Sequence, residues 1–337
     1  MENTVVIFTK IHKEGSMNSK RLRLFTGVFA LTAALLFGAG SSDDASDRKG
    51  TIGFSVFDMQ YGFFQQMEKG TKDGVTDLGY NYILHDQKSD EGLMVSGVMD
   101  LINQGIDALI ISPIKPEAMG PIVAAAQAKG IPVIVDDIGG GGTDYDVLVV
   151  SDNYGGGVMA AEYAVKTLGS GGSMEAATIA VDPSHVYAFR RTEGFRDAMV
   201  DANWKVVKEL NGHDKTEEGY TVMQDIITAN PDVQVVFCGN DPMAVGAAQA
   251  AADAGRNDIM IVGFNADEIA LEAIKAGSME ATVQQVPYRM GKMTAELADR
   301  LLKGETLEFD DDPNRELWIE VNLITLDNVD EALAELK

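Results

Sequence analysis

The sequence predicts an α/β protein built from two similar units in tandem, each a parallel sheet with helices on both faces. Three observations predict it. From Thr51 onward, short apolar runs alternate with longer stretches of helical spacing. The rhythm breaks at GSGGS (169–173) and then restarts. Glycines also fall where a last helical turn should end, in LGY, QG and AKGIP, as a left-handed C-cap requires. Repeated strand–helix–strand order implies parallel strands, and strands buried on both faces read as continuous apolar runs.

Taken in order, the first unit has expected strands TIGFSVF, NYILHD, ALIISP, PVIVDD and VLVVSD, with helices over 64–78, 92–104, 118–129 and 154–168. The second has AATIAV, WKVVKEL, VQVVFCG, IMIVGF and EATVQQ, with helices over 189–202, 217–228, 243–254, 266–276 and 288–302. Each unit thus has about five strands. A closing segment, ELWIEVNLITLDNV, is extended and alternating.

Composition allows this and excludes other classes. A chain of 337 residues with 45% hydrophobic content can bury two cores. The net charge is −25. Without residues 1–40 it is 22 basic against 50 acidic residues, near −28. Such a surface repels nucleic acid and anionic membrane, and fits either a salt-rich habitat or ordinary solubility. Cys238 is the only cysteine, so no intrachain disulfide and no thiolate metal cluster can form. It stands inside an apolar strand pattern and is expected to be a buried, inert thiol.

The first forty residues have the layout of a secretory signal. Lys20, Arg21 and Arg23 form a positive region, residues 24–37 an apolar one, and Gly38, Ala39 and Gly40 supply small residues for cleavage. The apolar stretch is short for a membrane span, though an uncleaved anchor is the alternative. Met17 is the expected start, with residues 1–16 an upstream extension. No cysteine follows the apolar region, which argues against a lipid anchor. Residues 41–50, rich in Ser and Asp, read as a disordered leader. The expected location is the periplasm of a Gram-negative cell.

Open α/β sheets bind ligands at the carboxyl ends of their strands. If the two units face each other there, one cleft forms, and the residues after each strand become candidates. In the first unit these are Tyr61, Phe63 and Phe64 after the first strand, Ser112 after the third, and Asp136 and Asp137 after the fourth. Four glycines, 139–142, follow the aspartates and let the loop run close to a ligand. Asp152 or Asn153 is expected to cap the next helix. In the second unit Arg190 and Arg191 stand at the start of the expected helix over 189–202 and point either to the cleft or to surface carboxylates. Asn240, Asp241, Asn265, Gln284 and Gln285 end later strands. Asn and Asp favour turns anyway, but so many on one side of the sheets exceed what turn chemistry asks. Carboxylates accept hydroxyl protons and amides both accept and donate, so the set suits a ligand dense in hydroxyls. A few such bonds plus one stacked ring would give micromolar binding, about −8 kcal/mol.

On the motifs FF after the first strand, LINQGIDALIISP, IPVIVDD, SDNYGGG, RRTEGF, GNDPMAVGA, IVGFNA and ATVQQVP, the chain resembles the periplasmic sugar-binding proteins of the ribose and galactose type. The likeness covers about residues 50–325. It implies the type I periplasmic-binding fold, two Rossmann-like lobes joined by a three-segment hinge, and delivery of ligand to an ABC transporter permease. By analogy the crossings fall near 151–152, 285–286 and 310–315. The implied lobes are 51–151 with 286–312 and 152–285 with 313–330. The likeness marks Phe63, Phe64, Asp136, Asn240, Asn265 and Gln285 as ligand contacts. Three positions depart from the ribose pattern: Asp137 and Phe189 stand where ribose binders carry arginines, and Asn265 stands where they carry an aspartate. Tyr61, Ser112, Asp137, Phe189 and Arg190 complete the expected site. A site with fewer positive donors favours a ligand that donates from every position: an acyclic sugar alcohol first, an amino sugar as the alternative. The protein is expected to be a monomer without cofactor or metal, and a chemoreceptor is a further expected partner.

Other classes fit less well. A repressor core of this fold would carry a helix-turn-helix before Thr51. An oxidoreductase would carry G-x-G-x-x-G where DMQYGFF stands. The histidines lack metal-ligand spacing, Ser184 beside His185 is no catalytic pair, and DDDPN (310–314) lacks the calcium-loop pattern.

Overall fold

The computed structural model describes residues 48–336. The expected extension and signal segment, and the leader up to residue 47, lie outside the described residues. Runs with no polar break become the central strands. ALII, VIVD, VLVVS and VVFC are buried at every position, as strands with helices on both faces must be. The half-exposed runs NYILHD and KVVKELN become edge strands.

The elements of the first lobe are β1 (Thr51–Val56), α1 (Gly62–Asp77), β2 (Asn81–Asp86), α2 (Glu91–Gln104), β3 (Ala108–Ile111), α3 (Met119–Gln127), β4 (Val133–Asp136) and β5 (Val147–Ser151). The chain then crosses into α4 (Asn153–Leu168), β6 (Glu175–Ala180), α5 (Val186–Asp201), β7 (Lys205–Asn211), α6 (Thr216–Ala229), β8 (Val235–Cys238), α7 (Asp241–Asp253), β9 (Met260–Asn265), α8 (Glu268–Ala276) and β10 (Ala281–Gln284). It returns through α9 (Pro287–Leu302) to β11 (Glu316–Ile319), and ends in β12 (Asn322–Thr325) and α10 (Val329–Glu335).

One sheet has the order β11-β5-β4-β3-β1-β2, the other β12-β10-β9-β8-β6-β7. The second repeats the first, strand for strand. All neighbours are parallel except β12, which runs antiparallel to β10. Each sheet has six strands, one more than the five expected, because the closing segment splits between them. Its first half, β11, pairs with β5 in the first sheet. The third crossing therefore lies at residues 320–321 rather than 310–315, and residues 313–319 belong with the first lobe, not the second. A single alternating run carries no sign that its two halves join different sheets.

Each sheet has an apolar core on both faces, formed in the first lobe around Phe54 and Met67 and around Leu109 and Met119. Cys238 is fully buried in a second-lobe core, and that burial pushes its thiol pKa up.

Candidate functional site

In both sheets the strand order reverses beside the first strand of the lobe, between β1 and β3 and between β6 and β8. Ligand crevices form at such switch points. Ser112 directly follows β3 at one, and Asn240 stands two residues past β8 at the other, one position beyond the match to Ser112.

On the first-lobe side, two adjacent strand-end groups are left unsatisfied. Ile111 pairs with Val135, so Ser112 and Asp136 occupy the next register position on adjacent strands. Both side chains are fully buried. Among the described residues, neither the Ser112 hydroxyl nor either Asp136 carboxylate oxygen has a hydrogen-bond partner. Burial, with the neighbouring Asp137 second, pushes the Asp136 carboxyl well above the usual carboxylate range. Asp137 follows in the left-handed region, φ +68°, and is half-buried. Burial raises its carboxyl to about 6, against the pull of Arg191.

Nearby, the aromatic residues divide. Phe64 is core, stacked on Phe57 at 4.9 Å between ring centroids. Phe63 is half-buried and meets Phe64 edge-on at 5.2 Å. Tyr61 sits at the N-cap of α1, 49% exposed.

The second-lobe side is built around Arg191, which is buried on α5. Its Nε donates to Asn153 Oδ1 at 2.7 Å, and its Nη1 to Gly239 O and Asn265 Oδ1, both at 3.0 Å. Burial lowers its pKa to about 10, with Asp137 pulling the other way. Asn265 Oδ1 also accepts from Gln285 Nε2 at 2.9 Å, and Gln285 Oε1 accepts from Ser151 Oγ at 2.9 Å. A continuous polar ladder, Asn153–Arg191–Asn265–Gln285–Ser151, thus spans two of the three crossings. Asn240 caps α7, accepting from Met243 N at 3.0 Å, while its amide donates to Asp214 at 3.3 Å. Asp152 caps α4 through Gly155 N at 2.8 Å, as expected of that position.

Two expected contacts are otherwise engaged. Arg190 is held by Glu316: Nη1 to Oε2 at 2.6 Å and Nη2 to Oε1 at 2.9 Å. Phe189 is half-buried and packs against the second-lobe core. The glycines after Asp137 also serve protein packing. A methyl at Gly139 would strike the Tyr187 ring, one at Gly140 the Tyr145 ring, and one at Gly141 the Pro116 carbonyl.

Of the two arginines, Arg191 is the buried one and joins the polar ladder. The signal for it is helical spacing: Arg191 and Phe195, four apart, share the buried face of α5, whereas Arg190 stands 100° away from it. Asn153 and Ser151 look like ordinary turn residues in one chain, because sequence carries no hint that Arg191 and Gln285 come to meet them.

A family model described as "Periplasmic binding protein domain" matches residues 52–306. Among curated proteins, the chain is 35% identical to the ribose import binding protein RbsB of Bacillus subtilis (strain 168), over 85% of this chain and 93% of that protein. It is 29% identical to a xylitol-binding protein of Mycolicibacterium smegmatis, over 88% of this chain and 82% of that protein. Among solved structures, a periplasmic ribose ABC transporter protein from Conexibacter woesei superposes with a TM-score of 0.77 at 26% identity, covering 85% of this chain and 95% of that one.

Proposed function

We infer, from a chain that belongs to the periplasmic binding protein family, a solute receptor that captures a sugar or polyol and delivers it to an ABC importer. It binds its solute and does not transform it. Two α/β lobes with equivalent switch points and polar strand ends suit such capture, because a small molecule held between them is shielded when they close.

The observation that carries the reading is the pairing of Asp136 with Ser112. Two buried polar side chains, side by side at the strand ends, have no partner among the described residues. A buried unsatisfied group is costly, so a native chain keeps one where a ligand supplies the missing bond. A carboxylate lacking donors asks for hydroxyl or amine protons. Arg191 and Gln285 across the way are held in place by the ladder and present nitrogen donors to a ligand's oxygens.

The ligand proposed is a sugar alcohol. Acceptor groups dominate the first-lobe side, and every oxygen of a polyol can donate to them. The similarity to a xylitol-binding protein supports this choice, while the greater identity to ribose import proteins keeps pentoses in the test set. From the expected residues, Asp136, Asp137, Ser112, Phe63, Asn240, Asn265 and Gln285 are proposed as contacts, and Arg191 is added. Export by a cleaved signal, with a monomer in a Gram-negative periplasm and docking to a chemoreceptor beside the permease, completes the reading. The charged, apolar and small segments of residues 20–40 support the signal.

A thermal-shift screen of pentoses, hexoses, polyols and amino sugars tests it. One polyol or pentose should raise the melting temperature in proportion to the logarithm of its concentration. A rise with amino sugars alone would replace the polyol by a cationic ligand. No rise with any compound would remove the sugar-receptor reading.

A further inference from the structure

Of the two adjacent arginines on α5, the one outside the polar ladder joins the lobes. Arg190 stands on α5 in the second lobe, and Glu316 opens β11 in the first. Their two-pronged pairing, at 2.6 and 2.9 Å, crosses between lobes. Glu316 is fully buried, and its Oε2 also accepts from Trp318 Nε1 at 3.0 Å. The Arg190 guanidinium lies 4.7 Å above the Tyr187 ring. Tyr187, one turn earlier on the same helix, packs against a first-lobe core that includes Tyr145. It fills the notch left by Gly139, where a side chain would collide with the ring. An aromatic knob and an ion pair on one helical turn therefore grip the opposite lobe, immediately beside Arg191.

We propose that Arg190, Glu316 and Tyr187 form a clasp that engages when the lobes come together and sets how long the ligand stays. Arg190 and Glu316 are positioning residues for capture, not ligand contacts. The proposal rests on the solute-receptor reading above. Parting the lobes strips Glu316 of its arginine fork and leaves a single indole donor, but it also admits water to both charges. The pair thus biases the equilibrium toward the closed form without locking it. Apparent affinity scales with the fraction of protein in the binding-competent form, so the bias appears as tighter, longer binding. Because Arg191 is the next residue, the same grip holds the Asn153–Arg191–Asn265 ladder in register with the first lobe.

The test uses the full chain with Arg190→Gln, Glu316→Gln and both together. Spin labels on Lys72→Cys and Asp225→Cys report the interlobe distance; Cys238 is fully buried and will not compete for label. Xylitol and D-ribose are the probes. Each single variant should lower affinity about tenfold through faster dissociation, and the double variant should be no weaker than either single one. Without sugar, all three variants should show a smaller closed population than the wild type. Additive losses, wild-type affinity in both single variants, or a ligand-free closed population equal to the wild type's would each overturn the clasp. Direct contact of Arg190 with the ligand gives the first and third of these. If Glu316→Gln does not fold, Arg190→Gln with the distance measurement decides alone. If the wild type binds neither sugar, the polyol reading fails separately. The clasp is then judged on ligand-free distances: it falls unless the wild type shows a short-distance population that the variants lose.

Discussion

Asp136 has no exposed surface and no hydrogen-bond partner among the described residues, so its charged form is strongly disfavoured. Asp136→Asn removes that charge and keeps the shape. At pH 7.5 the variant should melt higher than the wild type without ligand, and bind the best compound of the screen more weakly by about 2 kcal/mol in calorimetry. Lower melting with unchanged binding would take Asp136 out of the site. Two further acids, Asp137 beside it and Asp241 in the second lobe, predict a pH dependence. Burial raises Asp137 to about 6 and Asp241 to about 7, from an ordinary value of 3.8. The native state holds these protons more tightly than the unfolded chain. Their stabilisation is therefore complete below about pH 4 and is lost as pH rises through 6 to 7. The ligand-free melting temperature should fall from pH 5 to pH 7.5, and fall less in Asp137→Asn; an identical fall in that variant would contradict the assignment. Residue types at strand ends were legible in the sequence, but which of two adjacent arginines is buried was marked only by its spacing from Phe195. That choice depends on the phase of α5 against its sheet.

Three helix pairs share one device at the scale of elements. In α1 against α9, α4 against α5, and α6 against α7, each helix offers a glycine to the backbone of the other. A methyl on Gly70 would strike Tyr288 O, and one on Gly291 would strike Met67 O. Gly157 faces Arg191 O and Gly194 faces Tyr154 O; Gly219 faces Met243 O and Gly246 faces Thr216 O. A main-chain carbonyl cannot rotate away as a side chain can, so the helices must separate to admit even a methyl. Gly194→Ala sets the roughly 1 kcal/mol gain of alanine in a helix against overpacking of roughly 1–3 kcal/mol, and overpacking should win. We expect a lower denaturation midpoint at unchanged slope, with weaker sugar binding because Arg191 shares this helix pair; a raised midpoint would show that the pair can yield. Helix positions were legible from spacing, and their glycines were not, since a glycine at a contact and one on a surface look alike in one chain.

Across the whole molecule, a charge of −25 repels itself in the compact state. Added salt screens exposed charges beyond about 10 Å at 0.1 M. The melting temperature should therefore rise between 0.05 and 1 M potassium chloride; a flat or falling curve would mean that the exposed ion pairs, such as Arg256 with Asp258, outweigh the repulsion. The sequence by itself determined the repeating strand–helix order, the parallel sheets and the row of polar strand ends. Those follow from periodicity and burial, which are local properties of a chain. Three-dimensional packing alone sets the division of the closing segment between two sheets, the binding of Arg190 to Glu316 while Arg191 enters the ladder, and the lack of partners for Asp136 and Ser112 among the described residues. Each of these depends on which residue, 126 positions away for Arg190 and Glu316, arrives opposite. No spacing within a segment records that, because the contact is fixed by the packing of one lobe against the other.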